Sequence, residues 1–170
     1  MEREIVNRVA KSNLITFDLE EYFDKREVAT IDMKDWLFQE IILREKDFRM
    51  SVKEHDWSQY KNMNIVITCS VDAIVPTWAY MLMTINLEPY ANLVVIGSME
   101  DLNSRLYNEA LSKINIEEFR DAKVVIKGCS KVPVPSNAYV EITRLLTPVA
   151  ASIMYGEPCS TVPLYKRPKK

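Results

Sequence analysis

Apolar and polar positions along this chain follow two periods, and the switches between them mark out its elements. Residues 3–11 set Ile5, Val6 and Val9 among charges, the pattern of a short amphipathic helix. Residues 14–19 and 28–33 alternate with period two, and the charged link Asp24-Lys25-Arg26-Glu27 predicts a hairpin between the two strands. Residues 36–54 carry a helical spacing. Beyond residue 58 the pattern becomes regular: apolar strands at 64–69, 93–97 and 123–128 alternate with helices at 76–86, 99–113 and 135–146. Such alternation implies parallel strands joined by right-handed crossovers. Thr147-Pro148 breaks the last long helix and can open a second, short one, which Gly156 would stop.

The expected architecture is α/β, a three-layer Rossmann-like sandwich with a mainly parallel sheet and an N-terminal helix plus β-hairpin. It is expected as one domain. Residues 1–58 hold the N-terminal elements, 59–155 a βαβαβα core, and 156–170 a cysteine-containing tail.

One phrase occurs twice in that core. Residues 60–80 contain Ile65-Val66-Ile67, Cys69-Ser70, Val75-Pro76 and Ala79-Tyr80. Residues 119–139 contain Val124-Val125-Ile126, Cys129-Ser130, Val134-Pro135 and Ala138-Tyr139, so the offset is 59 at both ends. Each copy reads as a buried strand, a Cys-Ser at its end, a short loop, and a helix opening on proline. A shorter echo follows at Cys159-Ser160-Thr161-Val162-Pro163, and all three cysteines of the chain fall in this phrase.

Composition narrows the chemistry. A net charge of −2 offers no basic surface for nucleic acid, and the only basic cluster is the terminal Lys166-Arg167-Pro168-Lys169-Lys170, read as a solvated end. No apolar run approaches the ~20 residues that span a bilayer, and the charged N-terminus lacks a signal-peptide core. A cytoplasmic location follows as the expectation, and there cysteines are thiols or metal ligands rather than disulfides. The three glycines, Gly97, Gly128 and Gly156, stand alone, which excludes a dinucleotide fingerprint or a glycine-rich phosphate loop. A single histidine, His55, excludes the two-histidine zinc-protease motif.

The cysteines therefore carry the main hypothesis. Ligands gather at the carboxyl ends of parallel strands. If the strands ending in Cys69 and Cys129 are neighbours, their thiols come within joint reach of one ion, and a fold-back of the tail would add Cys159. With His55 as fourth ligand, the set suits tetrahedral zinc or an iron–sulfur cluster. Ser70, Ser130 and Ser160 could tune the thiolates, Asp72 in the loop after Cys69 is the best acid–base candidate or else a solvated loop acid, and the hydroxyls of Tyr80 and Tyr139 could reach the same place. The plainer alternatives are small buried cysteines in a metal-free interaction module, serines that cap turns, tyrosines that pack helix on sheet, and a histidine that complements a helix end. A third reading is a thiol-dependent enzyme with Cys69 or Cys129 activated at a helix N-terminus. Against it, no arginine stands six residues after either cysteine, where Val75 and Pro135 are found, and no Cys-x-x-Cys pair exists.

Several longer words are distinctive. They include Asp35-Trp36-Leu37-Phe38, His55-Asp56-Trp57-Ser58, Asp72-Ala73-Ile74-Val75-Pro76-Thr77-Trp78-Ala79-Tyr80, Lys127-Gly128-Cys129-Ser130 and Met154-Tyr155-Gly156-Glu157-Pro158-Cys159-Ser160-Thr161-Val162-Pro163. In these words the whole chain resembles the bacterial domain-of-unknown-function family numbered 2480. The resemblance brings no assigned activity. It implies an association with sulfur-mobilisation genes, and hence iron–sulfur assembly proteins as partners, with homo-oligomerisation also open.

Overall fold

The computed structural model describes residues 14–128, 131–157 and 159–168. Among the described residues it is a mixed α/β structure with four α-helices and two mostly parallel sheets. The chain divides into two compact units, one formed by Asp24–Arg105 and the other by Met1–Phe23 with Leu106–Lys170. The first is called here the inserted unit and the second the split unit.

In the inserted unit, β2 (Val28–Asp32), β3 (Asn64–Thr68) and β4 (Leu93–Ile96) form a parallel sheet in the order β2-β3-β4. Helices α1 (Glu45–Glu54) and α2 (Thr77–Leu87) supply Phe48 and Val52, and Ala79, Met83 and Leu87, to a core with Ile31, Ile65 and Ile67. The spacing of Ala79, Met83 and Leu87 is i, i+4, i+8, one stripe of a helix laid on a sheet. Strand β3 is buried from Asn64 through Ile67, as a central parallel strand covered on both faces should be.

In the split unit, β1 (Leu14–Asp18), β5 (Lys123–Lys127), β6 (Ser152–Glu157) and β7 (Ser160–Lys166) form the order β1-β5-β6-β7. The first three are parallel, and β7 returns antiparallel on β6. Tyr107 and Leu111 from α3 (Met99–Leu111) join Ala138, Ile142 and Leu146 from α4 (Ser136–Leu146) over Phe17, Val124, Ile126 and Ile153.

Equivalent bonds recur in both units at positions 59 apart. Asn62 and Asp121 take φ of 61° and 58°, a conformation that Asn and Asp tolerate better than most residues. Their N–H groups donate to Tyr90 O at 2.9 Å and Val149 O at 3.0 Å. Asn92 N donates to Met63 O and Ala151 N to Ala122 O, both at 2.8 Å. The register agrees too: β2 starts on β3 with Val28 opposite Asn64, and β1 starts on β5 with Leu14 opposite Lys123.

Three expectations need correction. The two N-terminal strands form no hairpin: they lie in different sheets, each parallel to a strand far along the chain. The helix read over 36–54 begins only at Glu45, because Phe38 bridges Ile42 across Gln39 and Glu40, both at positive φ. The short helix expected after Pro148 is strand β6 instead. Thr147 is the C-cap of α4, so Pro148 acts there as a stop and not as a first residue. The helix expected over 3–11 lies outside the described residues.

Candidate functional site

The carboxyl edge of the split unit's sheet gathers Asp18, Glu20, Lys127 and Tyr139, all partly buried. Strand β1 ends in Asp18 and β5 in Lys127, opposite each other in register, and Lys127 Nζ lies 3.0 Å from Asp18 Oδ2. Side-chain exposures of 25% and 19% shield this pair from the screening that weakens surface pairs. Asp18 also caps the turn Leu19–Tyr22, accepting from Glu20 N at 3.0 Å. That turn delivers Glu20, whose Oε1 accepts from Lys131 N at 3.2 Å. On the other side, the Tyr139 hydroxyl, one turn into α4, donates to Gly128 O at 3.0 Å. The described backbone is therefore pinned immediately before and immediately after the Cys129-Ser130 pair, which itself lies outside the described residues.

Tyr107 points to the same region. It is 1% exposed, and among the described residues its hydroxyl has no hydrogen-bond partner. Burial, then the fields of Tyr139, Glu20 and Asp18, push its pKa up to about 12, so the group stays a protonated donor. A buried hydroxyl left unpaired costs about 1–3 kcal/mol. The position 59 residues earlier is Phe48, also 1% exposed, so packing at this site does not require the oxygen. Tyr107→Phe is expected to leave the free energy of unfolding unchanged or raise it by about 1 kcal/mol, measured by chemical denaturation. A fall of that size would mean the hydroxyl has a structural role.

Strand β6 brings the third cysteine to this edge without any fold-back of the tail. It runs parallel to β5 with Tyr155 opposite Ile126, so Gly128 and Glu157 each follow their strand's paired residue by two positions. Glu157 pairs with Ser160 across the β6–β7 turn, in which Cys159 is exposed. Ser160 opens β7 and is exposed. A cavity of about 340 Å3, lined by Ile126, Ser136, Tyr139, Thr143, Tyr155 and Leu164, runs alongside.

The remaining predicted site residues belong to the inserted unit. Cys69 is half-buried at the end of β3, and its Sγ donates to Val71 O at 3.4 Å. Ser70 N donates to Asp32 Oδ1 at 3.1 Å. Asp72 lines a shallow apolar depression with Ile41, Ile42 and Ile74. Burial and then the neighbouring Cys69 raise the pKa of Tyr80. His55 caps the end of α1, with Nε2 3.1 Å from the Tyr60 hydroxyl and 3.2 Å from Gln59 Nε2. Strands β3 and β5 lie in different sheets, so the neighbouring-strand route to a Cys69–Cys129 pair does not hold. Among the described residues no three His, Cys, Asp or Glu side chains are grouped at metal-ligand spacing.

Sequence reasoning overlooked Asp18, Glu20, Tyr107 and Lys127. The available signal was the contrast of Tyr107 with Phe48, 59 residues apart, and of Thr16-Phe17-Asp18 with Thr30-Ile31-Asp32, 14 apart. Comparison with curated proteins and with solved structures gave no match. One family model does match, from residue 3 to residue 167 of the 170, and the chain belongs to the family it describes, "Protein of unknown function (DUF2480)".

Proposed function

We propose that this protein is a cytoplasmic metal- or iron–sulfur-handling factor whose working thiols are Cys129 and Cys159, and that the two units are copies of one ancestral unit. The observation that supports the thiol pair is the parallel register of β5 with β6. Neighbouring strands lie about 5 Å apart, close enough for side chains at their ends to share an ion. Cys129 enters from the sequence, as the residue after Gly128; Cys159 is exposed in the next strand's turn.

The surroundings suit thiolate chemistry. The Tyr107 hydroxyl, protonated and unpartnered among the described residues, would be a donor for sulfur or a metal-bound anion. Ser160, exposed at the start of β7, is a further donor, and Ser130 follows Cys129 in the sequence. Two thiolates complete half of a tetrahedral sphere, so the remaining positions fall to water, to a second copy, or to an iron–sulfur assembly protein. A site completed by a partner is what a transfer factor needs, because the ion must be able to leave.

The test is elemental analysis and absorption spectroscopy of anaerobically purified protein, with Cys69→Ser, Cys129→Ser and Cys159→Ser alongside. Zinc, or iron with sulfide and a brown colour, is expected in the unmodified chain and in Cys69→Ser. At least tenfold less is expected in the other two variants. Loss in all three would overturn the assignment to Cys129 and Cys159 alone. A chain that stays metal-free after reconstitution with zinc, or with iron and sulfide, would end the metal reading.

A further inference from the structure

The inserted unit has a polar cavity of its own, of about 380 Å3, whose walls include Asp32, Asp35, Trp36, Ser51, His55 and Tyr60. Four consecutive pieces of chain build it. Asp32 ends β2 and caps the turn Met33–Trp36, which carries Asp35 and Trp36. Ser51 and His55, four residues apart, come from one face at the end of α1. The turn Trp57–Tyr60 adds Tyr60. The rings hold one another: His55 meets Trp36 and Trp57 edge-on at 5.1 and 4.6 Å and stacks on Tyr60 at 5.7 Å. Burial works against ionisation of Asp32. The hydrogen bonds from Ser70 and from Lys34 N, with the nearby Lys34 charge, outweigh it and hold the carboxyl below its ordinary range.

The split unit shows the matching positions filled differently. Fifty-nine residues on, Ser51, His55 and Tyr60 correspond to Ala110, Ile114 and Phe119; fourteen residues back, Trp36 corresponds to Tyr22. There Phe17 stacks on Tyr22 at 5.0 Å and meets Phe119 at 5.6 Å, and Ile114 packs on the core. The same backbone is thus closed with apolar side chains. Folding at these positions therefore does not demand the Ser51 and Tyr60 hydroxyls or the His55 imidazole.

The lining includes two carboxylates, no lysine or arginine, and an indole. Carboxylates beside an aromatic ring suit a cation, which gains from both the charge and the ring's negative face. The volume fits a small molecule rather than a peptide. No three ligands converge here at metal spacing, which favours an organic cation over an ion. We propose that this cavity binds a small organic cation through a primary ammonium group, seated between the Asp35 carboxylate and the Trp36 ring. Asp32 and the Ser51 hydroxyl accept its two remaining N–H groups.

The test uses the full chain and putrescine, with 1,4-butanediol and butyrate as neutral and anionic counterparts. Tryptophan fluorescence and the His55 ring proton shifts are followed. Saturable shifts with putrescine alone are expected, weakened at least tenfold in Asp35→Asn, with melting temperature and metal content unchanged in that variant. Trp36→Leu should abolish binding; because Trp36 stacks on Trp57 at 5.7 Å, Asp35→Asn is the variant that decides. Equal response to the diol, no saturable response to putrescine, or unchanged affinity in Asp35→Asn would overturn the proposal. None of these outcomes bears on the thiols.

Discussion

Alanine at Gly156 is expected to destabilise the split unit by about 3 kcal/mol and to loosen the turn that presents Cys159. Gly156 has φ of +119°, in the half of conformational space that side chains avoid, and an added Cβ would stand 2.6 Å from the carbonyl oxygen of Ser160. That oxygen is backbone on the paired strand: Gly156 sits opposite Thr161 and Glu157 opposite Ser160. Relief therefore requires the hairpin to open, because no flexible side chain can move aside. Urea denaturation should show a midpoint shift with little change in slope, and Cys159 should react faster with a thiol reagent than in the unmodified chain. A shift below about 0.5 kcal/mol, the size of an ordinary surface change, would mean the turn is not held as described.

The strands and helices between 64 and 146 were legible because their signals are local. An apolar run such as Val124-Val125-Ile126 is buried on both faces, and the stripe Ala138, Ile142, Leu146 repeats every four residues. What the pattern could not convey is which strands pair. Alternation in residues 14–18 states which face is buried, but a parallel partner is chosen by packing over a hundred residues away, where Leu14 meets Lys123. The same limit explains the division into two sheets. Phe17 and Ile31 are equally buried core residues, one in each unit. The false start of α1 has another cause. Gln39 and Glu40 make a tight turn at positive φ without the glycine that normally marks one, so the sequence carried no warning.

The candidate site divides along the same line. The cysteines stood out as a repeated phrase, and β6 shows why Cys159 needs no special folding to reach the edge. Tyr107 was invisible because it lies on the buried stripe of its helix, where an aromatic residue is ordinary core. Only its oxygen is out of place, and that becomes apparent when the hydroxyl is found buried and unpartnered while Phe48 fills the matching position. Groups of this kind are retained at some expense in stability, which is the usual signature of a functional residue. If Tyr107→Phe keeps its stability but loses metal, the hydroxyl belongs to the site.

The Gly128→Ala variant tests the link between that site and its loop. The new Cβ would lie 2.3 Å from the Tyr139 hydroxyl oxygen and 3.0 Å from the ring carbon that bears it. Helix α4 fixes the base of the ring and Tyr155 meets it edge-on at 5.8 Å, so relief means swinging its tip toward the cavity that both tyrosines line and giving up the bond to Gly128 O. We expect a loss of about 2 kcal/mol, from the broken hydrogen bond and the displaced ring together, and at least a tenfold fall in bound metal. Tyr139→Phe removes the same hydrogen bond without a clash and should cost about 1 kcal/mol. In the double variant the nearest oxygen is gone, so alanine at 128 should be tolerated better on the phenylalanine background than alone, by about 1 kcal/mol of coupling. Strict additivity of the two changes would show that Tyr139 does not hold Gly128, and with it the anchoring of the cysteine loop from the α4 side would fall.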